Sequence, residues 1–352
     1  MSARRLWTTC ITLAALLCGC GASASSEADA IERAKQSGRS VPLGDGRTLF
    51  LRCTGRGSPT VLLEPGYGAT SQAWYAVQPA VARTTRVCSY DRAGSGFSDA
   101  GPEPRDGASI ARDLDTALTA ARIEGPFIVV GHSAGGLYGR LFAARRAADV
   151  QGLVLLDPTV ERRVAQPSGD GLDGLRRAAR NCLAVSELRP QPPLDDTRWA
   201  GCVGAKPDPW AAATARRPDA WRSRISELDN LYGRTSDQVF RIGVVLRPIP
   251  TYVITAGNTA AAGPKYGSEG NPRSAVEIQH EIIARRSIEG SQQTVRSSHM
   301  IMFDRPEVVI RAVEEMVRAS RAGRAPARLP PSETDTPLKA ADAPKPALGV
   351  RP

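Results

Sequence analysis

Short apolar blocks alternate with amphipathic stretches along most of this chain. Thr60-Val61-Leu62-Leu63-Glu64 lies between Pro59 and Pro65 and is apolar on both faces, the pattern of a strand covered on two sides. Before it, Thr48-Leu49-Phe50-Leu51 closes a first strand pair behind the turn Gly44-Asp45-Gly46. Residues 72–83 are compatible with a helix, and Arg86 to Asp91 form another strand, ended by the Gly-rich loop Arg92-Ala93-Gly94-Ser95-Gly96. From Ser109 to Ala121, Ile110, Leu114, Ala117, Leu118 and Ala121 fall on one helical face. Phe127-Ile128-Val129-Val130 predicts a buried strand, Leu137 to Ala148 a helix, and Gly152 to Leu156 a strand ending at Asp157-Pro158. Thr251 to Thr255 and Gln293 to Arg296 supply two later strands, each followed by a helical stretch. Apolar strands alternating with helices predict an α/β fold with a mostly parallel sheet covered on both faces.

The rhythm breaks between residues 160 and 247, a block rich in Arg, Pro, Asp and Trp with helix-like pieces and no clear strand. It reads as a helical cap inserted into a core of residues 39–159 and 248–320. Residues 321–352 are Pro-rich and poor in apolar side chains, so a disordered tail is expected there.

At the other end, Arg4 and Arg5 precede the apolar stretch Leu6 to Leu17 and then small residues, the layout of a signal peptide over residues 1–19. Leu17-Cys18-Gly19-Cys20 resembles the bacterial lipobox, although Cys18 stands where Ala or Ser is usual. The resemblance implies that Cys20 becomes a lipid-modified N-terminus, with residues 20–38 as a tether and the protein held in the cell envelope by acyl chains. Ordinary cleavage near Ala22 or Ala24, giving a secreted or periplasmic protein, is the alternative.

Export changes the meaning of the cysteines. Besides Cys20, the mature chain keeps Cys53, Cys88, Cys182 and Cys202, an even number that allows three disulfide connectivities in an oxidising compartment. Metal binding is the weaker reading, since the chain has three His and no CxxC or HxH spacing. The formal charge of +10 is no nucleic-acid signal: part of it sits at Arg4, Arg5 and in the tail, and the rest is spread without a dense basic block. No obligate protein partner is evident.

Chemistry concentrates at Gly131-His132-Ser133-Ala134-Gly135, a G-x-S-x-G directly after a buried strand and directly before a helix. A strand-to-helix turn that tight needs the flanking glycines, and it lifts the Ser133 hydroxyl towards a helix N-terminus. A serine hydroxyl needs a base. His132 adjoins Ser133 on the strand and is expected to point to the opposite side. His280 lies mid-helix within Val276-Glu277-Ile278-Gln279-His280-Glu281 and reads as solvated. His299 follows the last strand.

These segments resemble the α/β-hydrolase superfamily from about Leu43 to Ser320. The likeness rests on Pro65-Gly66-Tyr67-Gly68, on Tyr90 to Ser98, on the Ser133 elbow, and on Ser298-His299 ahead of Asp304-Arg305-Pro306-Glu307. The resemblance implies Ser133 as nucleophile and His299 as base, in the family's chain order. Pro65 replaces the family's His, which leaves backbone donation intact, so the amides of Tyr67 and Ala134 are the implied oxyanion hole. Ala256-Gly257-Asn258-Thr259 offers no carboxylate at the acid's usual place, which turns attention to Asp157, with Glu269 as the alternative. Asp304 reads as a helix N-cap, and Asp91 with Arg92 as a brace for the Gly-rich loop. The family's sheet order further implies a Cys53–Cys88 disulfide, and Cys182 with Cys202 is the simplest local pairing within the cap.

The expected activity is hydrolysis of a small-molecule carboxylic ester through an acyl-enzyme, with no cofactor or metal. Amidase, peptidase, acyltransferase or perhydrolase chemistry would use the same residues. Dehalogenases and epoxide hydrolases carry Asp where Ser133 stands. A non-catalytic envelope lipoprotein on this scaffold is the alternative from another class.

Overall fold

The computed structural model describes residues 22–161, 171–204, 207–262, 264–266 and 273–331. Cys20, the proposed signal peptide and Glu269 lie outside the described residues. An eight-stranded sheet forms the centre: β1 (Arg39–Pro42), β2 (Thr48–Thr54), β3 (Thr60–Glu64), β4 (Val87–Tyr90), β5 (Phe127–His132), β6 (Val150–Leu156), β7 (Thr251–Ala256) and β8 (Gly290–Val295). Their order is β1-β2-β4-β3-β5-β6-β7-β8. β2 pairs antiparallel with both β1 and β4, and every pairing from β4 to β8 is parallel. This is the mostly parallel α/β sheet expected from the alternation.

The side-chain period of two explains why the central strands are apolar throughout. Leu62, Val129 and Leu153 face one layer, built with Ile110, Leu114, Leu137 and Phe142. Val61, Ile128, Val130 and Val154 face the other, where Trp74, Val309, Val313 and Met316 close over them. Those layers include α2 (Gly107–Ala120), capped by Asp106, whose carboxylate accepts from the Ser109 amide at 2.9 Å, and α3 (Gly135–Arg145). The cap comprises α4 (Asp173–Glu187), α5 (Pro209–Ala215), α6 (Pro218–Asn230) and α7 (Ser236–Arg241). After β7 come α8 (Ala275–Arg285) and α9 (Pro306–Ala322). Among the described residues, no helix is long and apolar enough to cross a membrane.

Cys53 and Cys88 sit directly opposite each other on β2 and β4, and a disulfide joins them with 4.1 Å between the Cα atoms. A second disulfide, Cys182–Cys202, staples α4 to the following cap segment across 5.5 Å.

Several expectations need correction. Residues 72–83 are not one helix: a 3-10 turn (Ser71–Trp74) is followed by a separate short helix, Gln78–Val81. Pro79 is the reason, because without an N–H it can start a helix but not continue one. The last strand begins at Gly290, three residues before the expected Gln293, since its half-buried start already pairs with β7. The tether is helical over Ala22–Lys35 (α1). Its Ile31 packs on the cap beside Trp199, Ala212 and Ala215. The tail is not free from its start. The Tyr252 hydroxyl donates to the Ala327 carbonyl, the Ala327 amide donates to Glu315 at 2.9 Å, and Leu329 packs beside α9. Backbone hydrogen bonds fix this stretch despite its low apolar content.

Candidate active site

The parallel strands deliver their chemistry at one edge of the sheet, beyond their C-terminal ends. Ser133 follows the last residue of β5, Asp157 follows the last residue of β6, and His299 stands four residues beyond β8. Ser133 adopts φ +52°, a strained conformation for a residue with a Cβ. Three main-chain bonds hold it there: its amide donates to Leu156 at 3.0 Å, and its carbonyl accepts from Gly136 at 2.9 Å and Thr159 at 3.0 Å. The flanking glycines are required by close approach. A Cβ on Gly131 would lie 2.6 Å from the Gly135 carbonyl oxygen, and one on Gly135 would lie 2.4 Å from that of Glu64.

His299 Nδ1 is 2.6 Å from Asp157 Oδ2. The Asp157 side chain is almost completely buried, whereas that of His299 is 44% exposed, open to an incoming ligand. Asp157 accepts two further hydrogen bonds, from the Ala256 amide at 3.1 Å and the Thr259 hydroxyl at 2.6 Å. Burial pushes its carboxyl up. The hydrogen bond to His299, the nearby His280 and the Thr259 hydroxyl together outweigh that and hold it below its ordinary value. Thr259 belongs to the segment that offers no carboxylate; there it supplies a donor to the carboxylate of β6 instead.

The two other histidines depart from expectation. His132 does not point away from the site. Its ring centroid lies 4.6 Å from that of His299, and its Nε2 donates to the His299 carbonyl at 2.9 Å. Burial, followed by the neighbouring His299, drives its pKa down to about 3, so it is neutral and no competing base. His280 is buried rather than solvated, bridging the Thr255 hydroxyl and the Pro158 carbonyl at 2.9 Å each. Its helix packs on β7 and β8, which turns that face inward and buries Ile283 and Ala284 with it.

Asp304 is not the N-cap of α9, whose first turn starts from Arg305. It accepts from the Ser298 amide at 2.8 Å and the Ser297 hydroxyl at 3.3 Å, bracing the loop that carries His299. Asp91 is a brace as expected, accepting from the amides of Ser71 at 2.7 Å and Phe97 at 3.0 Å.

The loop Pro65-Gly66-Tyr67-Gly68 lies beside the elbow: a Cβ on Gly66 would be 3.2 Å from that of Ser133. Among the described residues, no protein acceptor takes the amide of Tyr67 or of Ala134. The loop is held by Arg92, which donates to the carbonyls of Pro65 and Gly66 at 2.6 Å each and pairs with Glu64 and Glu227 at 3.0 Å each. Tyr90 donates to Glu64, and Tyr138 to Glu227 at 3.1 Å. Burial pushes the Glu64 carboxyl up to about 7 against the pull of Arg92. Glu227 comes from α6, so this buried cluster ties the cap to the loop. Nothing in the spacing of Glu64, Arg92 and Glu227 announces it, because tertiary packing alone brings them together. Among the described residues, no group of three His, Cys, Asp or Glu is placed to hold a metal ion.

Comparisons with known proteins agree with this architecture. The model of the alpha/beta hydrolase family matches residues 61–312. The chain is 32% identical to the uncharacterized protein YqjL of Bacillus subtilis over 106 residues, covering 30% of this chain and 42% of that one. It is 38% identical to an AB hydrolase superfamily protein of Gibberella zeae over 97 residues, covering 27% of this chain and 30% of that one. The matches thus span less than half the length of these relatives. Among solved structures, the enol-lactonase from Burkholderia xenovorans superposes with a TM-score of 0.56 at 16% identity, covering 79% of this chain and 99% of that one. The meta-cleavage product hydrolase CumD from Pseudomonas fluorescens gives a TM-score of 0.56 at 18% identity, with 81% and 99% covered. At such identities the likeness is one of fold, whereas the family match spans most of the chain: this protein belongs to the alpha/beta hydrolase family.

Proposed function

We propose that the protein is a serine hydrolase that cleaves acyl substrates through an acyl-enzyme on Ser133. The observation that carries this reading is the 2.6 Å contact between His299 Nδ1 and the buried Asp157, at the sheet edge where the elbow presents Ser133. In the first half-reaction, the Ser133 hydroxyl attacks the acyl carbonyl while His299 Nε2 takes its proton. Asp157 orients the ring and stabilises its cation. The tetrahedral oxyanion faces the amides of Ala134 and Tyr67, each donor contributing about 3–4 kcal/mol in the transition state. His299 then returns the proton to the leaving group. Water attacks the acyl-enzyme with His299 again as base, releasing the acid and restoring Ser133.

Family membership supports hydrolysis without choosing the bond. A carboxylic ester is the substrate class we favour, and an amide would engage the same groups. A fluorophosphonate probe should label the native protein on Ser133 and leave Ser133→Ala unlabelled. Paired p-nitrophenyl esters and p-nitroanilides of the same acyl groups then decide ester against amide. No labelling of native protein would remove the serine mechanism.

Export and lipid attachment at Cys20 form a second part of the proposal. Two disulfides that use all four cysteines of the body support an oxidising compartment.

A further inference from the structure

Arg224 stands on α6 with its side chain over the Tyr67-Gly68 loop. Its guanidinium lies 4.9 Å from the Trp221 ring, and one terminal nitrogen donates to the Gly68 carbonyl at 3.3 Å. Its Nε is buried with no hydrogen-bond partner. Among the described residues no carboxylate pairs with it. The nearest one on its own helix, Glu227, already accepts from Arg92 and Tyr138.

The contrast with Arg92 is physical. Burial works against both guanidiniums. In Arg92 the carboxylates of Glu227 and Glu64 outweigh it, whereas in Arg224 burial prevails and lowers the group below its ordinary value. Arg224 is half-buried, with its Nε sealed from solvent and without a partner, and Glu227 acts on it only through space, so its cation is incompletely neutralised and can take an anionic ligand. The loop is open at Gly68. Gly68 has φ +71°, and a Cβ there would meet no atom within 4 Å. Gly68 is two residues from Gly66, where a Cβ would lie 3.2 Å from that of Ser133, so Arg224 is anchored on the same loop that adjoins Ser133.

We propose that Arg224 is a specificity residue that binds a free carboxylate on the substrate, so that the preferred substrates are half-esters or related monoacyl derivatives of small dicarboxylic acids. The planar guanidinium fits a carboxylate with two parallel N–H···O bonds, and the cap brings it to the site by docking α6 on the oxyanion loop. This inference rests on the Ser133 reading for its chemistry, but not for the binding itself.

The test compares mono-p-nitrophenyl succinate and glutarate with neutral p-nitrophenyl esters of the same chain lengths, scored as a ratio of kcat/KM on each protein. The native ratio for at least one length should favour the acid by about 10- to 100-fold, the fold-change of a charge-assisted hydrogen bond. In Arg224→Gln the ratio should fall to about one, chiefly through KM, and Arg224→Lys should restore part of it. A ratio makes the result independent of how much variant protein folds. A native ratio near one at both lengths, or a preference that survives in Arg224→Gln, overturns the proposal. The second arm is calorimetry on Ser133→Ala, where monomethyl glutarate should bind at least about tenfold more tightly than dimethyl glutarate. If that preference holds while native protein turns over neither ester, the carboxylate site stands and the Ser133 chemistry fails. Equal binding of the two ligands removes the site whatever the turnover.

Discussion

The Nε2 of His132 donates to the main-chain carbonyl of His299 at 2.9 Å, which fixes the loop of the proposed base to the strand of the proposed nucleophile. A carbonyl can only accept, so the proton of the neutral His132 ring resides on Nε2. His299 is thereby held from two sides, by His132 through its backbone and by Asp157 through its ring.

Substitutions in the triad should separate by role. Ser133→Ala and His299→Ala should each lower kcat/KM on activated esters by about 10³-fold or more with the fold intact. Asp157→Asn should lose less, but still well over about tenfold, because His299 would lose its orienting charge. Thr259→Val should fall between Asp157→Asn and native. Steady-state kinetics with circular dichroism checks the series. A near-native Asp157→Asn beside a dead Glu269→Gln would move the acid to Glu269.

His132 should make stability depend on pH. It is neutral in the fold, with its pKa near 3, whereas in the unfolded chain it titrates at the ordinary value of 6.5. Between those values only the unfolded state takes up the proton, so stability falls as pH drops from 6.5 towards 3. His132→Gln keeps a donor for the His299 carbonyl but does not titrate. Its Tm should therefore fall less between pH 7 and pH 5 than the native Tm does. His280, also lowered by burial, is present in both proteins and cancels in the comparison.

Removing Arg92 should damage both stability and turnover. Arg92→Leu leaves the buried Glu64 and Glu227 carboxyls without their cation and frees the carbonyls of Pro65 and Gly66. A loss of about 3–5 kcal/mol is expected from denaturant titration. In any folded fraction kcat should fall, because the Tyr67 amide loses its fixed position.

The cap disulfide should be separable from the core. Cys182→Ser with Cys202→Ser opens a bridge of sequence separation 20, for a loss of roughly 3 kcal/mol. Tryptophan fluorescence from Trp199, Trp210 and Trp221 reports the cap in this experiment. Peptide mapping without reductant checks the pairing, and a Cys53 peptide linked to Cys182 or Cys202 would refute it.

The Cys20→Ala variant should leave the detergent-extracted membrane fraction for a soluble one. Palmitate labelling that persists in this variant would sink the lipidation proposal.

What the sequence determined by itself were the features encoded locally. Strands such as Thr60–Glu64 and Phe127–His132 were legible because apolar runs bounded by proline or glycine have few other fates, and alternation with helices then implied a parallel sheet. The Ser133 elbow was legible because its motif stands within five residues at a strand-to-helix junction, although the Glu64 carbonyl that Gly135 must clear comes from β3. Tertiary structure alone decided contacts between distant segments. The hydroxyl of Thr259 completes the surroundings of Asp157 across 102 residues, and Glu227 reaches Arg92 across 135. His280 was expected to be solvated on its helix and is buried, and His132 was expected to point away although the return of the chain at His299 made it a partner. The tether and the start of the tail packed for the same reason: a few well-placed contacts, Ile31 on the cap and the Ala327 backbone on Tyr252 and Glu315, suffice once the core supplies a surface to receive them. Composition averages over such contacts, and only the folded chain brings them into register.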